Sequence, residues 1–292
     1  MKKDLLRNSY IKLLQSSLLN ELYIENEARI DYVIHCIANN ISPVLADILY
    51  IKYQDQLING IIKCKENGST IKLITNDAAN NAHTAFDLRN YTELSHTMIG
   101  KKRLENIRYC VEKVINDNVP GDFIETGVWK GGATIFMKGI LNAYGISNRN
   151  VWVADSFEGV PIPSHIEDEG FIIDARVLPV LAVSEEEVRE LFVRYDLLDE
   201  SIKFLKGWFR DTLSSAPIDS LAILRLDGDL YESTMDALNP LYSKVSKGGF
   251  VIVDDYYSCY PCNKAVTDFR SINNINDDIV QIDAQSVFWR KQ

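Results

Sequence analysis

Two stretches of this chain end in paired carboxylates. LRLDGDLYEST carries Asp227 and Asp229, and VIVDDYYS carries Asp254 and Asp255. Each pair directly follows a very apolar run, the pattern of a buried strand. Like charges gathered at adjacent strand ends are costly unless something positive sits between them. A hard divalent cation takes oxygen ligands, and Mg²⁺ commonly uses a few carboxylates while leaving positions for water or substrate. Magnesium is therefore the first expectation. A solvated acidic rim is the plainer alternative, and the apolar run before each pair argues against it.

A second chemical feature lies upstream, in GDFIETGVWKGGATIFMKG, residues 121–139. An apolar segment ends at Glu125-Thr126-Gly127 and is followed by Gly131 and Gly132. Compared with the dinucleotide fingerprint G-x-G-x-x-G, the loop has Gly127 and Gly132 but Trp129 in the middle position. The middle glycine lets the backbone approach a pyrophosphate, and an indole there obstructs it. No Walker A sequence is present either. The loop suits a ligand without phosphates whose amino-acid end needs a carboxylate and backbone groups. The next apolar strand, in VWVADSFEG, ends at Asp155. That is where adenosine-containing cofactors have their ribose hydroxyls gripped, since a carboxylate accepts two hydrogen bonds at once.

These residues need a scaffold that brings strand ends together. From Thr97 onward strand-like and helix-like segments take turns: helix near 100–118, DFIET, helix near 131–144, VWVAD, helix near 184–196, IKFLK, LAILRLD, helix near 232–243, FVIVDD, helix near 262–272, then DIVQID and SVFWRK. That alternation predicts an α/β fold with a mostly parallel sheet flanked by helices. Ligands in such sheets bind beyond the carboxyl ends of the strands, where Glu125, Asp155, Asp227 and Asp254 fall. Residues 4–65 carry apolar positions at helical spacing, and 66–96, rich in Asn, Thr, Ser and Ala, reads as a loop or arm. The expected division is a helical extension with a linker arm over 1–95 and the chemistry in 96–292. Residues 159–184 interrupt the sheet pattern, and a segment that long reads as a lid over an acceptor. His165 within it reads as an exposed polar residue.

Composition narrows the partners. With 31 basic against 41 acidic residues among 292 the formal charge is −10, so nucleic acid is not expected. No 18-residue apolar run or signal-peptide core is visible, and the chain reads as a cytoplasmic protein without a membrane span. Its five cysteines have no framework spacing and read as reduced thiols, Cys259-Tyr-Pro-Cys262 included. A homo-oligomer is compatible with the sequence.

The motifs HTMIGKKRLENI, GDFIETGVWKGG, VWVADSFEGVP, FLKGWFRDTL, LRLDGDLYESTMDAL and GGFVIVDDY, in that order from about residue 97 to the C-terminus, closely resemble the macrocin O-methyltransferase (TylF-like) family of S-adenosylmethionine- and magnesium-dependent sugar O-methyltransferases. The segment YIKLLQSSLLNELY is similar to a family N-terminal segment, and about 24–90 matches least. The resemblance implies a Rossmann-like class I methyltransferase fold. It places Glu125, Thr126, Gly127, Val128 and Trp129, with Thr97 and Met98, around the methionine end of the cofactor. Asp155 and Ser156 would hold its ribose, Trp208 and Phe209 would lie near adenine, and Asp227, Asp254 and Asp255 would hold Mg²⁺.

Methyl transfer then requires an activated hydroxyl in line with a sulfonium methyl. Related metal-dependent catechol and caffeoyl methyltransferases carry a lysine three residues after the first metal aspartate, and here that position is Leu230. The family's candidate base is Asp227. A nucleotide-sugar glycosyltransferase is the competing enzyme class, because Asp227-Gly-Asp229 also reads as a D-x-D metal motif. The glycine loop followed by Asp155 argues against it. A cofactor-binding scaffold without catalysis is the non-enzyme alternative.

Overall fold

The computed structural model describes residues 2–77, 82–89 and 94–292. The chain divides into two compact units, residues 12–102 and residues 1–11 together with 103–292. Its elements open with α1 (Lys2–Leu18), α2 (Ile24–Ala38), α3 (Leu45–Leu49) and α4 (Gln54–Asn67), followed by β1 (Ile71–Asp77) and β2 (Ala82–Leu88). Helical spacing builds the core of the smaller unit. Ile24, Ala28, Tyr32 and Cys36 of α2 recur every fourth residue and meet Leu57, Ile61 and Cys64 of α4 with Phe86 and Leu88 of β2.

The polar stretch 66–96, expected as a loop or arm at the end of a helical extension, instead contains an antiparallel hairpin. Leu73 pairs with Phe86 and Ile71 with Leu88. The hairpin forms because every second residue is suited to one buried face: Thr75 is buried while its neighbour Ile74 is exposed. A Cβ at Gly60 would lie 2.5 Å from Leu88 Cδ1, so α4 rests on the hairpin at its glycine. Residues 78–81 and 90–93 of that stretch lie outside the described residues.

The chain continues through α5 (Gly100–Asn116), β3 (Asp122–Thr126), α6 (Gly132–Tyr144), β4 (Val151–Asp155), α7 (Glu185–Arg194), β5 (Ile202–Lys206) and α8 (Phe209–Thr212). It ends with β6 (Leu221–Leu226), α9 (Tyr231–Leu241), β7 (Val245–Val253), α10 (Tyr260–Ile272), β8 (Val280–Gln281) and β9 (Val287–Arg290). These strands form one seven-stranded sheet in the order β5-β4-β3-β6-β7-β9-β8. The first five are parallel, and β9 runs antiparallel to both neighbours. The strand expected over DIVQID shrinks to Val280–Gln281, an exposed pair at the sheet edge.

The chain steps from β3 through β4 to β5 and then returns to lay β6 on the other side of β3. Loops leaving β3 and β6 therefore diverge at their carboxyl ends, which opens a crevice there. Every residue of β6 is buried, as expected of a central parallel strand, and one of them is Arg225.

Candidate active site

The ladder continues one residue past the strand ends and fixes where each loop starts. The N–H of Gly127 donates to the Ala154 carbonyl at 2.8 Å, that of Asp227 to Thr126 at 2.9 Å, and that of Asp254 to Leu226 at 2.9 Å. Gly127 adopts φ 88°, and a Cβ built there would lie 1.8 Å from the Asp227 carbonyl oxygen. The glycine that opens the loop after β3 is thus required by the backbone of the carboxylate loop beside it.

Around this turn the expected cofactor residues are arranged as follows. Asp155 accepts the N–H of Val128 through Oδ2 and that of Phe157 through Oδ1, each at 2.7 Å, so its carboxylate ties the β3 loop to the end of β4. Burial raises its pKa against the pull of those backbone donors. The Trp129 N–H and the Ser156 hydroxyl also reach this carboxylate. Ser156 Oγ donates to the Gly159 carbonyl at 2.9 Å. Trp129 holds a left-handed φ of 48°, and its indole N–H donates to the Val180 carbonyl in the 159–184 segment at 2.8 Å. Thr126 is buried, with Oγ1 donating to the Arg225 carbonyl at 3.3 Å. Trp208 is the N-cap of α8, and Phe209 places its ring against Gly228, 3.2 Å from where a Cβ would stand. Thr97 and Met98 precede α5 and are counted with the smaller unit, where Thr97 Oγ1 accepts the N–H of Ile99 at 3.5 Å. Their place at the cofactor rests on the resemblance alone.

The carboxylates do converge. Asp227, Asp254 and Asp255 each offer an oxygen, and those atoms lie within 4.8 Å of one another. Asp229, Asp255 and Cys259 form a second such group. What holds the charges together is a guanidinium. Arg225 Nη1 donates to Glu125 Oε1 at 2.5 Å and to Asp227 Oδ2 at 2.6 Å, and its Nη2 donates to Asp254 Oδ1. Arg103 binds the other Asp254 oxygen at 2.5 Å and Asp283 at 2.8 Å. Burial nevertheless pushes the Glu125 carboxyl up to about 8, and burial together with the Asp227 charge pushes Asp229 up to about 7. Asp255 is held well above the carboxylate range by burial and the Asp229 charge. Asp229 sits at φ 57° and accepts the Cys259 thiol at 3.4 Å.

Two observations test whether absent groups fit. Asp255 Oδ2 is buried without a partner, beside two other aspartates whose oxygens face the same volume, which is the donor set a hard cation completes. Glu125 Oε2 is likewise buried without a partner, beside the glycine turn, where an ammonium would satisfy it. Arg225, Arg103 and the half-buried Asp229 as a neighbour of Asp255 are absent from the sequence-based site. An arginine inside the otherwise apolar LAILRL was the signal for the first; the reach of Arg103 across the fold left no local trace.

An open, mostly parallel sheet with a reversed last strand, a glycine turn and acid at adjacent strand ends, and Trp129 in place of the middle glycine of a dinucleotide fingerprint fit an S-adenosylmethionine-dependent methyltransferase. The macrocin-O-methyltransferase (TylF) family matches residues 7–291, and the chain belongs to that family. It is 56% identical over 208 residues to demethyldecarbamoylnovobiocin O-methyltransferase of Streptomyces niveus, covering 70% of this chain and 78% of that protein. It is 53% identical over 205 residues to the 8-demethyl-8-(2,3-dimethoxy-alpha-L-rhamnosyl)-tetracenomycin-C 4'-O-methyltransferase of Streptomyces olivaceus, covering 69% of this chain and 78% of that one. The solved O-methyltransferase NovP superposes with a TM-score of 0.76 at 43% identity, over 98% of this chain and 99% of that one. The chain is therefore an O-methyltransferase whose methyl donor is S-adenosylmethionine, and the glycosyltransferase and scaffold readings are set aside.

Proposed function

We propose that this enzyme methylates a hydroxyl of a sugar within a glycoside, with Asp227, Asp254 and Asp255 holding Mg²⁺ at the acceptor. The observation that carries the metal is the convergence of oxygens from Asp227, Asp254 and Asp255 within 4.8 Å of one another, with Asp255 Oδ2 buried and without a hydrogen-bond partner. The sugar acceptor is favoured by family membership and by relatives whose names specify glycosylated natural products. S-adenosylmethionine supplies an electrophilic sulfonium methyl. Bound Mg²⁺ supplies a positive field that lowers the pKa of an acceptor hydroxyl, each unit being worth about 1.4 kcal/mol.

The chain's own residues divide the remaining work. Glu125, Gly127 and Asp155 form the cofactor half of the crevice, with Val128 fixed by Asp155 and Thr126 by the ladder. Met98, Thr97, Ser156, Trp208 and Phe209 belong to that half by resemblance. Arg225 keeps Glu125, Asp227 and Asp254 together before any cation arrives. Asp227 is one candidate to take the hydroxyl proton, although its Oδ2 already accepts a hydrogen bond from Arg225. Asp229, which converges with Asp255 in the same cluster, is the second candidate by its position. The 159–184 segment, hydrogen-bonded through Val180 to Trp129, is read as the cover over the acceptor.

The test is methyl transfer to a panel of glycosides, followed by mass spectrometry, with and without EDTA. Turnover is expected to stop in EDTA and to return with Mg²⁺, while calorimetry still detects S-adenosylmethionine binding. Asp227→Asn is expected to lower kcat by at least about 10²-fold, the size of general-base and metal contributions. Undiminished turnover after exhaustive dialysis against EDTA overturns the metal role.

A further inference from the structure

We propose that Asp168 is a positioning residue for methyl transfer: from the 159–184 segment it caps α9 and thereby fixes the loop that carries Asp227 and Asp229. The inference rests on the reading of that loop as the place of chemistry.

Asp168 ends the short turn Ile166–Asp168, and its side chain is fully buried while Ile162, Ile166 and Ile172 around it are exposed. A buried carboxylate needs donors, and it has two. Oδ1 accepts the N–H of Tyr231 at 2.6 Å, and Oδ2 accepts the N–H of Glu232 at 3.1 Å. These are the first two amides of α9, which have no partner within the helix. The N-cap residue, Leu230, has no side-chain acceptor to offer them. The cap arrives instead from a residue 63 positions earlier. The neighbouring contacts act in the same direction: Ser164 Oγ donates to the Glu232 carboxylate, and the His165 ring stacks on Tyr231 with centroids 4.5 Å apart.

The consequence follows from how short the loop is. Asp227 is tied at its N–H to Thr126, Tyr231 is tied at its N–H to Asp168, and between them stand only Gly228, Asp229 and Leu230. Asp229 sits at φ 57°, a left-handed conformation that aspartate tolerates better than most residues. Pinning both ends of the loop limits how far it can leave that conformation. Without the cap the first turn of α9 is released, and Asp229 relaxes away from Asp227 and Asp255. The named contacts of Asp168 include none of Glu125, Gly127 and Asp155, so the cofactor half keeps its geometry.

The experiment compares full-length Asp168→Ala, Asp168→Asn and Asp227→Asn with wild type by three measurements: Mn²⁺ affinity by electron paramagnetic resonance, S-adenosylmethionine affinity by calorimetry, and turnover with the glycoside that wild type methylates best. Asp168→Ala is expected to weaken Mn²⁺ binding and lower kcat by about 10- to 10²-fold, the effect of a misplacement of about 1 Å at a reacting group. S-adenosylmethionine affinity is expected to stay within about 2-fold of wild type, the scale of a residue remote from the ligand. Asp168→Asn is expected to recover only part of the loss, because its amide keeps an oxygen for one of the two α9 N–H groups but turns an NH2 toward the other. A merely structural cap lowers the melting temperature of both variants and leaves kcat and Mn²⁺ affinity of the folded protein unchanged; that result overturns the proposal. Should alanine prevent folding, Asp168→Ser, with one shorter acceptor, takes its place in the same assays with the same expectation. If Asp227→Asn also binds Mn²⁺ and turns over as wild type does, the reading of the loop itself fails; if only Asp227→Asn is impaired, the inference about Asp168 fails alone.

Discussion

At the scale of single residues, Gly127 and Arg225 explain why the two halves of the crevice form one site. Gly127 stands where any side chain would run into the Asp227 backbone, so the cofactor turn and the carboxylate loop are fitted to each other. Gly127→Ala is expected to destabilise the protein by more than about 1–2 kcal/mol, the cost of a left-handed alanine alone, since the 1.8 Å approach adds a backbone clash. Denaturant unfolding reads the stability, and calorimetry should show weaker S-adenosylmethionine binding in the same variant. A Gly127→Ala protein of wild-type stability and affinity would remove the close approach from the account. Arg225 could be noticed in LAILRL as a charge in a buried strand, but its three partners lie on β3 and just past the ends of β6 and β7. Only pairing of β3, β6 and β7 brings Glu125, Asp227 and Asp254 around it.

At the scale of elements, the alternation of strands and helices after residue 97 was legible because buried parallel strands read as apolar runs and their covering helices as amphipathic ones. The hairpin β1-β2 was not, since its inward residues are few and stand among Asn and Thr. Its weight in the smaller unit can be measured. Phe86, buried against His35 and Tyr53, anchors β2 in that core. Phe86→Ala is expected to cost about 3–5 kcal/mol, as a large buried aromatic does. Hydrogen exchange should show the loss of protection concentrated in α2, α4 and the hairpin. Unchanged exchange in those elements would mean that the hairpin is an appendage and no part of the core.

At the scale of the whole molecule, the buried carboxyls set how stability depends on pH. Burial raises Glu125 to about 8, Asp229 to about 7 and Asp31 to about 7. An acid whose folded pKa is raised keeps its proton in the folded state after the unfolded chain has released it. Its contribution is therefore complete below the unfolded value and is lost as pH rises through the folded one. Asp174, held at about 2 by the hydrogen bonds from Arg176, acts only at more acidic pH. The ligand-free protein is expected to melt at falling temperature from about pH 5 to pH 8, and Mg²⁺ with S-adenosylmethionine should flatten that slope by favouring the ionised forms. Differential scanning fluorimetry in EDTA and in saturating ligands reads both. A melting temperature that rises across this range in EDTA would show that these carboxyls are already ionised in the folded protein.

By itself the sequence determined the class of fold, the order of the chemical motifs and the family, because apolar periodicity and the residues at strand ends are local properties. It also placed Trp129 where a dinucleotide fingerprint has its middle glycine. Tertiary structure decided what each charge meets. That Asp155 spends its oxygens on Val128 and Phe157, that Arg225 and Arg103 grip Asp254 from both sides, and that Asp168 caps a helix 63 residues away depend on which strands lie side by side and on where loops return. The reason is physical: a carboxylate's pKa and role follow from burial and from partners within a few ångström, and those partners are distant in the chain.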